Sequence, residues 1–217
     1  MIIFIPDHKT NMQKIKNLLF DLGNVLFDLD ENATREALKA LLNGEEFPGD
    51  IPHAIRSYDT GAWSSERFIN YFLRQTKPGV YARDVVEAWN LMMLGIRPEV
   101  FDLLDELNKK YELYLLSNNN ELHYEWFMKH LQDKHRLQDF NERFFKKAYY
   151  SHLIGYRKPD QVCYEWVLGD AGINAEETLF IDDKIENTRS AEELGLRTIT
   201  LENSFALPDT LKTEKVL

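Results

Sequence analysis

The chain has 217 residues, 44% of them hydrophobic, which suits one large α/β domain or a core domain with a small insertion and excludes global disorder. A formal charge of −10 with no basic cluster argues against nucleic acid and anionic membranes as partners, since both would repel such a surface. The single cysteine, Cys163, excludes an internal disulfide and suits a reducing, cytoplasmic setting.

The apolar run Met1-Ile2-Ile3-Phe4-Ile5 is too short for a signal peptide and lacks a basic leader. Met12 lies just ahead of the first strand pattern, so residues 1–11 read as an added tail or an upstream start, and the core begins at residue 12. No stretch reaches transmembrane length. Strand patterns follow over residues 17–21, 112–116, 147–151, 177–181 and 196–200, with helical patterns near 98–110, 121–132, 159–168 and 184–194. Pro98 and Pro159 suit first-turn positions, and Gly169 and Gly195 suit helix ends. This alternation predicts an α/β fold: a doubly wound, Rossmann-like parallel sheet with its strand C-termini along one ligand-binding edge.

Residues 31–96 interrupt that rhythm. They read as four amphipathic helices, near 32–43, 50–58, 64–75 and 81–93, with turn signals at Asn43-Gly44, Thr60-Gly61 and Pro78-Gly79 and no strand. Inserted after the first strand, such a block sits above the strand C-termini as a helical cap. The expected division is therefore a core of residues 12–30 and 97–217 and a cap of residues 31–96. Trp63, Phe68 and Phe72 read as cap-core residues, and Arg56 as a solvated cap position.

Four short pieces carry chemistry. Asp21 ends the run Leu18-Leu19-Phe20, and a carboxylate there can attack a phosphoryl group. Ser117 and Asn118 precede a helix whose N-cap is Asn120, a cradle for phosphate. Lys158 can neutralise phosphate charge and hold the nucleophile. Asp182 and Asp183 repel each other and Asp21 unless a cation intervenes, and magnesium suits a few carboxylates, phosphate oxygens and water. Each piece alone has an ordinary reading as a cap, turn or surface residue; their joint order at predicted strand ends points to magnesium-assisted phosphoryl transfer. His123, His130 and His135 do not share one helical face, and Cys163 reads as a small packing residue.

With these pieces the chain resembles the haloacid dehalogenase-like (HAD) hydrolase superfamily over about residues 16–201. The runs Gly23-Asn24-Val25 and Arg97-Pro98-Glu99 look closest to bacterial sugar-phosphate phosphatases of the glucose-1-phosphatase kind. The resemblance implies Asp21 as nucleophile, Ser117 and Asn118 as phosphate-binding residues and Lys158 as the orienting cation. It implies Mg2+ held by Asp21, the Gly23 carbonyl and Asp183, with Asp182 supporting that shell. One position departs from the pattern DxDx[TV]: Gly23 stands where the family carries a second aspartate as general acid/base. That acid typically contributes about 10²–10⁴-fold. Asp28 could deputise through a water, but reads first as shaping the turn into the cap.

The expected function is a monomeric, Mg2+-dependent phosphatase that hydrolyses a small phosphorylated metabolite, a sugar phosphate, through an aspartyl-phosphate. An anomeric phosphate suits Gly23 because its leaving oxygen is less basic than an alkoxide. Two alternatives stand beside it. A 2-haloacid dehalogenase uses the same attacking carboxylate but has no need of the acidic pair. A catalytically weak phosphate-binding or interaction protein would explain Gly23, but not the retention of Asp21, Lys158 and Asp183.

Overall fold

The protein is seen in a computed structural model that describes residues 14–44, 46, 47 and 50–217. The expectations for residues 1–11 and the start of the core at residue 12 lie outside the described residues. Five parallel strands form the central sheet: β1 (Asn17–Phe20), β4 (Glu112–Ser117), β5 (Lys147–Tyr150), β6 (Thr178–Asp182) and β7 (Arg197–Thr200), in the spatial order β5-β4-β1-β6-β7. Two more short strands, β2 (Asp28–Leu29) and β3 (Met93–Gly95), pair antiparallel outside it.

The middle strands β1, β4 and β6 are largely apolar because both sheet faces are covered, while the edge strand β7 is more polar and only partly buried. Alternate residues go to opposite sides. Leu18, Phe20, Leu113, Leu115, Leu179 and Ile181 join one buried cluster, while Leu19, Tyr114, Leu116, Tyr149 and Phe180 join another. The first face is covered by α5 (Pro98–Leu107), α6 (Glu121–His130), α7 (Phe140–Phe144) and α11 (Leu207–Thr213), and the second by α9 (Gln161–Ala171) and α10 (Ile185–Glu192). Cys163 is fully buried in the second cluster, and burial pushes its thiol up to about 12.

Register sets up the site. Phe20 is level with Leu115 on one side and Ile181 on the other. One step further along three adjacent strands, Asp21, Leu116 and Asp182 therefore form a row at the C-terminal edge.

The helices α1 (Glu31–Leu41), α2 (Ile51–Asp59), α3 (Ser65–Leu73) and α4 (Ala82–Asn90) share a separate buried cluster that includes Leu38, Tyr58, Phe68, Phe72 and Trp89, with Trp63 partly buried against it. This layer leaves the sheet through β2 and returns through β3. The fourth helix was expected to reach residue 93 with no strand in the block; instead α4 ends at Asn90 and Met93–Gly95 forms β3. The returning chain is caught beside the outgoing one: Met92 N–H donates to Thr34 Oγ1, and Asp30 N–H to Met92 O.

Two punctuation residues act differently from expectation. The helix α9 runs through Gly169 and stops at Gly172, which takes φ +69. Pro159 lies in a turn ahead of that helix, whose N-cap is Asp160. The turn after α2 packs directly on the core: Gly61 has φ +70, and a Cβ there would lie 2.4 Å from the carbonyl oxygen of His152, in the short helix α8 (Ser151–Ile154).

Candidate active site

Lys158 is 1% exposed, and its ammonium closes the row of strand ends. It donates to Asp21 Oδ1 at 2.7 Å, to Asp182 Oδ2 at 2.7 Å and to the Leu116 carbonyl at 2.8 Å. All three of its donors are thus used. Burial works against its charge, but Asp182 and Asp21 outweigh that and raise its pKa. Burial pushes the Asp21 carboxyl up to about 7; Lys158 pulls it back, and Asp182 adds to the rise. Asp183 is also raised, by burial and then by Asp182.

The two adjacent acids divide their work. Asp182 ends β6, fully buried, and its oxygens accept from Lys158 Nζ, the Lys184 backbone N–H and Asn187 Nδ2. Asp183 follows the strand, is less buried, and accepts from Asn24 Nδ2 at 3.2 Å. Asn24 adopts φ 54, a left-handed conformation that asparagine tolerates better than most residues, and its Oδ1 accepts from Leu29 N–H. It thereby ties the loop after Asp21 to the acidic pair. That loop is bonded through the Leu22 and Phe27 carbonyls, leaving the Gly23 carbonyl outside its turn hydrogen bonds.

One carboxylate oxygen from each of Asp21, Asp182 and Asp183 lies within 4.8 Å of the others. Three acids face a single ammonium, so the donor set carries an excess of negative charge with oxygen ligands only, which fits a hard divalent cation.

Ser117 is buried at the end of β4, and its hydroxyl reaches only the Asn118 carbonyl, at 3.5 Å. The side chain of Asn118 corrects an expectation. Its Oδ1 accepts from Lys158 N–H and its Nδ2 donates to Lys158 O, both at 2.9 Å. The amide read as a phosphate ligand is spent on clamping the lysine's backbone. Asn120 caps α6 as expected, accepting from His123 N–H.

Asp28 does not stand by for the missing acid. It accepts from Ser204 Oγ and lies 3.3 Å from Arg97 Nε, tying β2 to the C-terminal segment. At Gly23 itself, a Cβ would lie 2.6 Å from Leu29 Cδ1, so an apolar methyl occupies the space beside that backbone. Arg56 is about half exposed, as expected for a solvated position, and pairs with Asp160 at the surface. His130 stacks on Trp126, and His135 packs against Phe101.

A cavity of about 930 Å³ opens from Asp21 between the sheet edge and the helical layer. Sequence reasoning missed several residues in or beside it: Leu29, Asp59, Arg157 and Asn187. Asp59 ends α2, and its Oδ1 accepts from Asn120 Nδ2 at 3.2 Å. The same Asn120 amide lies 3.2 Å from His123 Nδ1, while His123 Nε2 is 3.0 Å from the Trp89 carbonyl. A carbonyl only accepts, so Nε2 carries the proton and Nδ1 accepts. Burial holds His123 down at about 4, and therefore neutral.

A family model for haloacid dehalogenase-like hydrolases matches residues 15–195. A D-ribitol-5-phosphate phosphatase of Bacteroides thetaiotaomicron is 28% identical over 199 residues, covering 87% of this chain and 93% of the relative. A sesquiterpene phosphatase of Aspergillus oryzae is 26% identical over 206 residues, covering 88% and 92%. A crystal structure of a HAD family enzyme from Bacteroides thetaiotaomicron, in complex with magnesium and inorganic phosphate, superposes with a TM-score of 0.74 at 33% identity, covering 86% of this chain and 93% of that one. The chain belongs to the haloacid dehalogenase-like hydrolases.

Proposed function

We propose that the protein is a Mg2+-dependent phosphatase that hydrolyses a small phosphorylated metabolite, a sugar or polyol phosphate, with Asp21 as nucleophile. The observation that carries this reading is Lys158, held in one row by Asp21 and Asp182 with Asp183 beside them. The phosphatase names of two relatives that span nearly the whole chain support it, and the polyol name supports the substrate class.

The mechanism follows from the contacts. Asp21 Oδ1 is fixed by Lys158, so the carboxylate is oriented before substrate arrives. Its other oxygen attacks phosphorus in line, the ester oxygen leaves, and an aspartyl-phosphate forms. Ser117 Oγ and Lys158 Nζ would meet the charge that gathers on the transferred oxygens. Asp21, the Gly23 carbonyl and Asp183 would hold Mg2+, with Asp182 as support, and the ion would supply charge neutralisation for the incoming phosphate. Water then hydrolyses the acyl-phosphate and returns Asp21. With glycine at 23, no side chain there protonates the leaving oxygen, so an alkoxide leaving group, as in a polyol phosphate, takes its proton from water.

Residues 31–96 act as the cap over this chemistry, excluding water until the covalent step. A monomeric, cytoplasmic enzyme completes the reading; among the described residues, no helix is long and apolar enough to cross a membrane.

A second reading is favoured by the cavity wall. Leu29, Leu38, Ile51, Ile55, Phe72 and Met92 line it, a surface suited to a phosphate ester with a hydrocarbon body. One experiment addresses both: phosphate release from sugar, polyol and prenyl phosphates, with Mg2+ or with a chelator. Release confined to the Mg2+ arm and abolished in Asp21→Asn is expected; release untouched by either would refute the assignment.

A further inference from the structure

Asp59 and Arg157 meet across the junction of the helical layer and the sheet. Asp59 comes from the end of α2, while Arg157 immediately precedes Lys158 in the chain. Both line the cavity that opens from Asp21. Asn120, which holds Asp59, lies three residues beyond Ser117. The pair is therefore tethered on both sides to residues of the phosphate site, in the wall of the same cavity.

Its bonding is incomplete in a specific way. Arg157 Nη1 stands 3.5 Å from Asp59 Oδ2, too long for a good hydrogen bond. Arg157 Nε is buried with no acceptor. Asp59 has a hydrogen bond on Oδ1 alone, from Asn120, and its side chain is 11% exposed. Burial pushes its carboxyl up to about 6 despite the pull of Arg157, the signature of a poorly solvated acceptor. A buried donor without an acceptor is costly to leave in a folded protein, which makes a ligand acceptor there favourable. Two incompletely satisfied groups of opposite polarity, side by side in a cavity wall, match a hydroxyl, which donates and accepts at once.

We propose that Asp59 and Arg157 form a subsite for hydroxyl groups on the substrate carbons beyond the phosphate ester. Asp59 Oδ2 accepts a hydrogen bond from the hydroxyl, and the partly exposed guanidinium of Arg157 donates through an Nη to a hydroxyl oxygen on the same or the next carbon. The apolar side chains of Ile55 and Phe72, in the same wall, take the C–H faces of that chain. The substrate class is a phosphorylated polyol or open-chain sugar, and the inference rests on the phosphatase reading above. A buried polar pair of this kind discriminates strongly, because a ligand lacking the hydroxyl leaves both groups unpaired.

The test compares kcat/KM for a pentitol phosphate, its analogue lacking the terminal hydroxyl, and an aryl phosphate in wild type, Asp59→Asn and Arg157→Gln. Wild type is expected to prefer the pentitol phosphate over its deoxy analogue. Each variant is expected to lower the pentitol-to-aryl ratio of kcat/KM about ten- to a hundred-fold, mainly through KM. Arg157→Lys, which keeps the charge and one donor, should restore part of the ratio, and it serves in place of Asp59→Asn if that protein does not fold. An unchanged ratio, with the esters falling together or not at all, would show a purely structural latch and overturn the proposal. Absence of phosphate release from every ester in wild type would instead overturn the phosphatase reading itself.

Discussion

Lys158 Nζ and Asp21 Oδ1 stand 2.7 Å apart across a sequence separation of 137 residues, and the contact is closed to solvent by the strands on either side. Removing the ammonium while keeping the stem, in Lys158→Met, would leave Asp21 and Asp182 as buried acids without their cation. Breaking a buried pair from one side costs about 3–5 kcal/mol. Denaturant unfolding should show a loss of that order, and phosphate release should fall to background. A variant as stable as wild type would mean that the acids do not need this partner.

Asn118 supports the same lysine from behind. Asn118→Ala removes two hydrogen bonds to the Lys158 backbone, leaving its N–H and C=O without that partner, at a cost of about 1–3 kcal/mol. The expected kinetic outcome is a lower kcat, because the ammonium loses its fixed position. Steady-state kinetics on an aryl phosphate would check this. A change confined to KM would instead assign the amide to substrate.

Gly23→Asp tests the missing acid, and the structure shows why the single change is insufficient. Its Cβ would meet Leu29 Cδ1 at 2.6 Å, so the leucine must rotate before the carboxyl can be placed. The double variant Gly23→Asp/Leu29→Ala should therefore exceed the single one. Hydrolysis of alkyl phosphates should rise toward the roughly 10²–10⁴-fold that general acid catalysis typically gives. No gain in the double variant would show that another group already protonates the leaving oxygen.

His123 gives a pH signature in stability. Burial holds its pKa at about 4 in the folded chain against the 6.5 of an ordinary histidine, so between these the unfolded chain binds the extra proton. Its contribution is present in full above 6.5 and is lost as pH falls toward 4, by up to roughly 3 kcal/mol. Asp21 and Asp59, both raised, act with the opposite sign in overlapping ranges. The quantity to measure is therefore the difference in unfolding free energy between wild type and His123→Gln across pH 4–7. That difference should shrink as pH falls.

The parallel sheet was legible because its strands are short apolar runs bounded by turn residues, and the same runs placed Asp21, Ser117 and Asp182 at strand ends. The short strand Met93–Gly95 was not legible, since three residues carry no period and its pairing depends on where the chain leaves the sheet. Gly169 and Gly172 look alike in sequence; only the second takes the left-handed turn. Asn118 sits in the expected place with an unexpected task, because nothing local shows that its amide faces residue 158. Asp59 and Arg157 are ordinary charges until the fold sets them side by side.

Gly61 carries a consequence for every sequence that shares this arrangement. It is a shim of zero thickness between the helical layer and the sheet: its bare Cα lets the turn after α2 seat against the His152 carbonyl. Any larger residue would prop the enclosure ajar, by both its bulk and its preference against φ +70. Under the proposed reading, bulk solvent then reaches Asp21 at every stage of turnover.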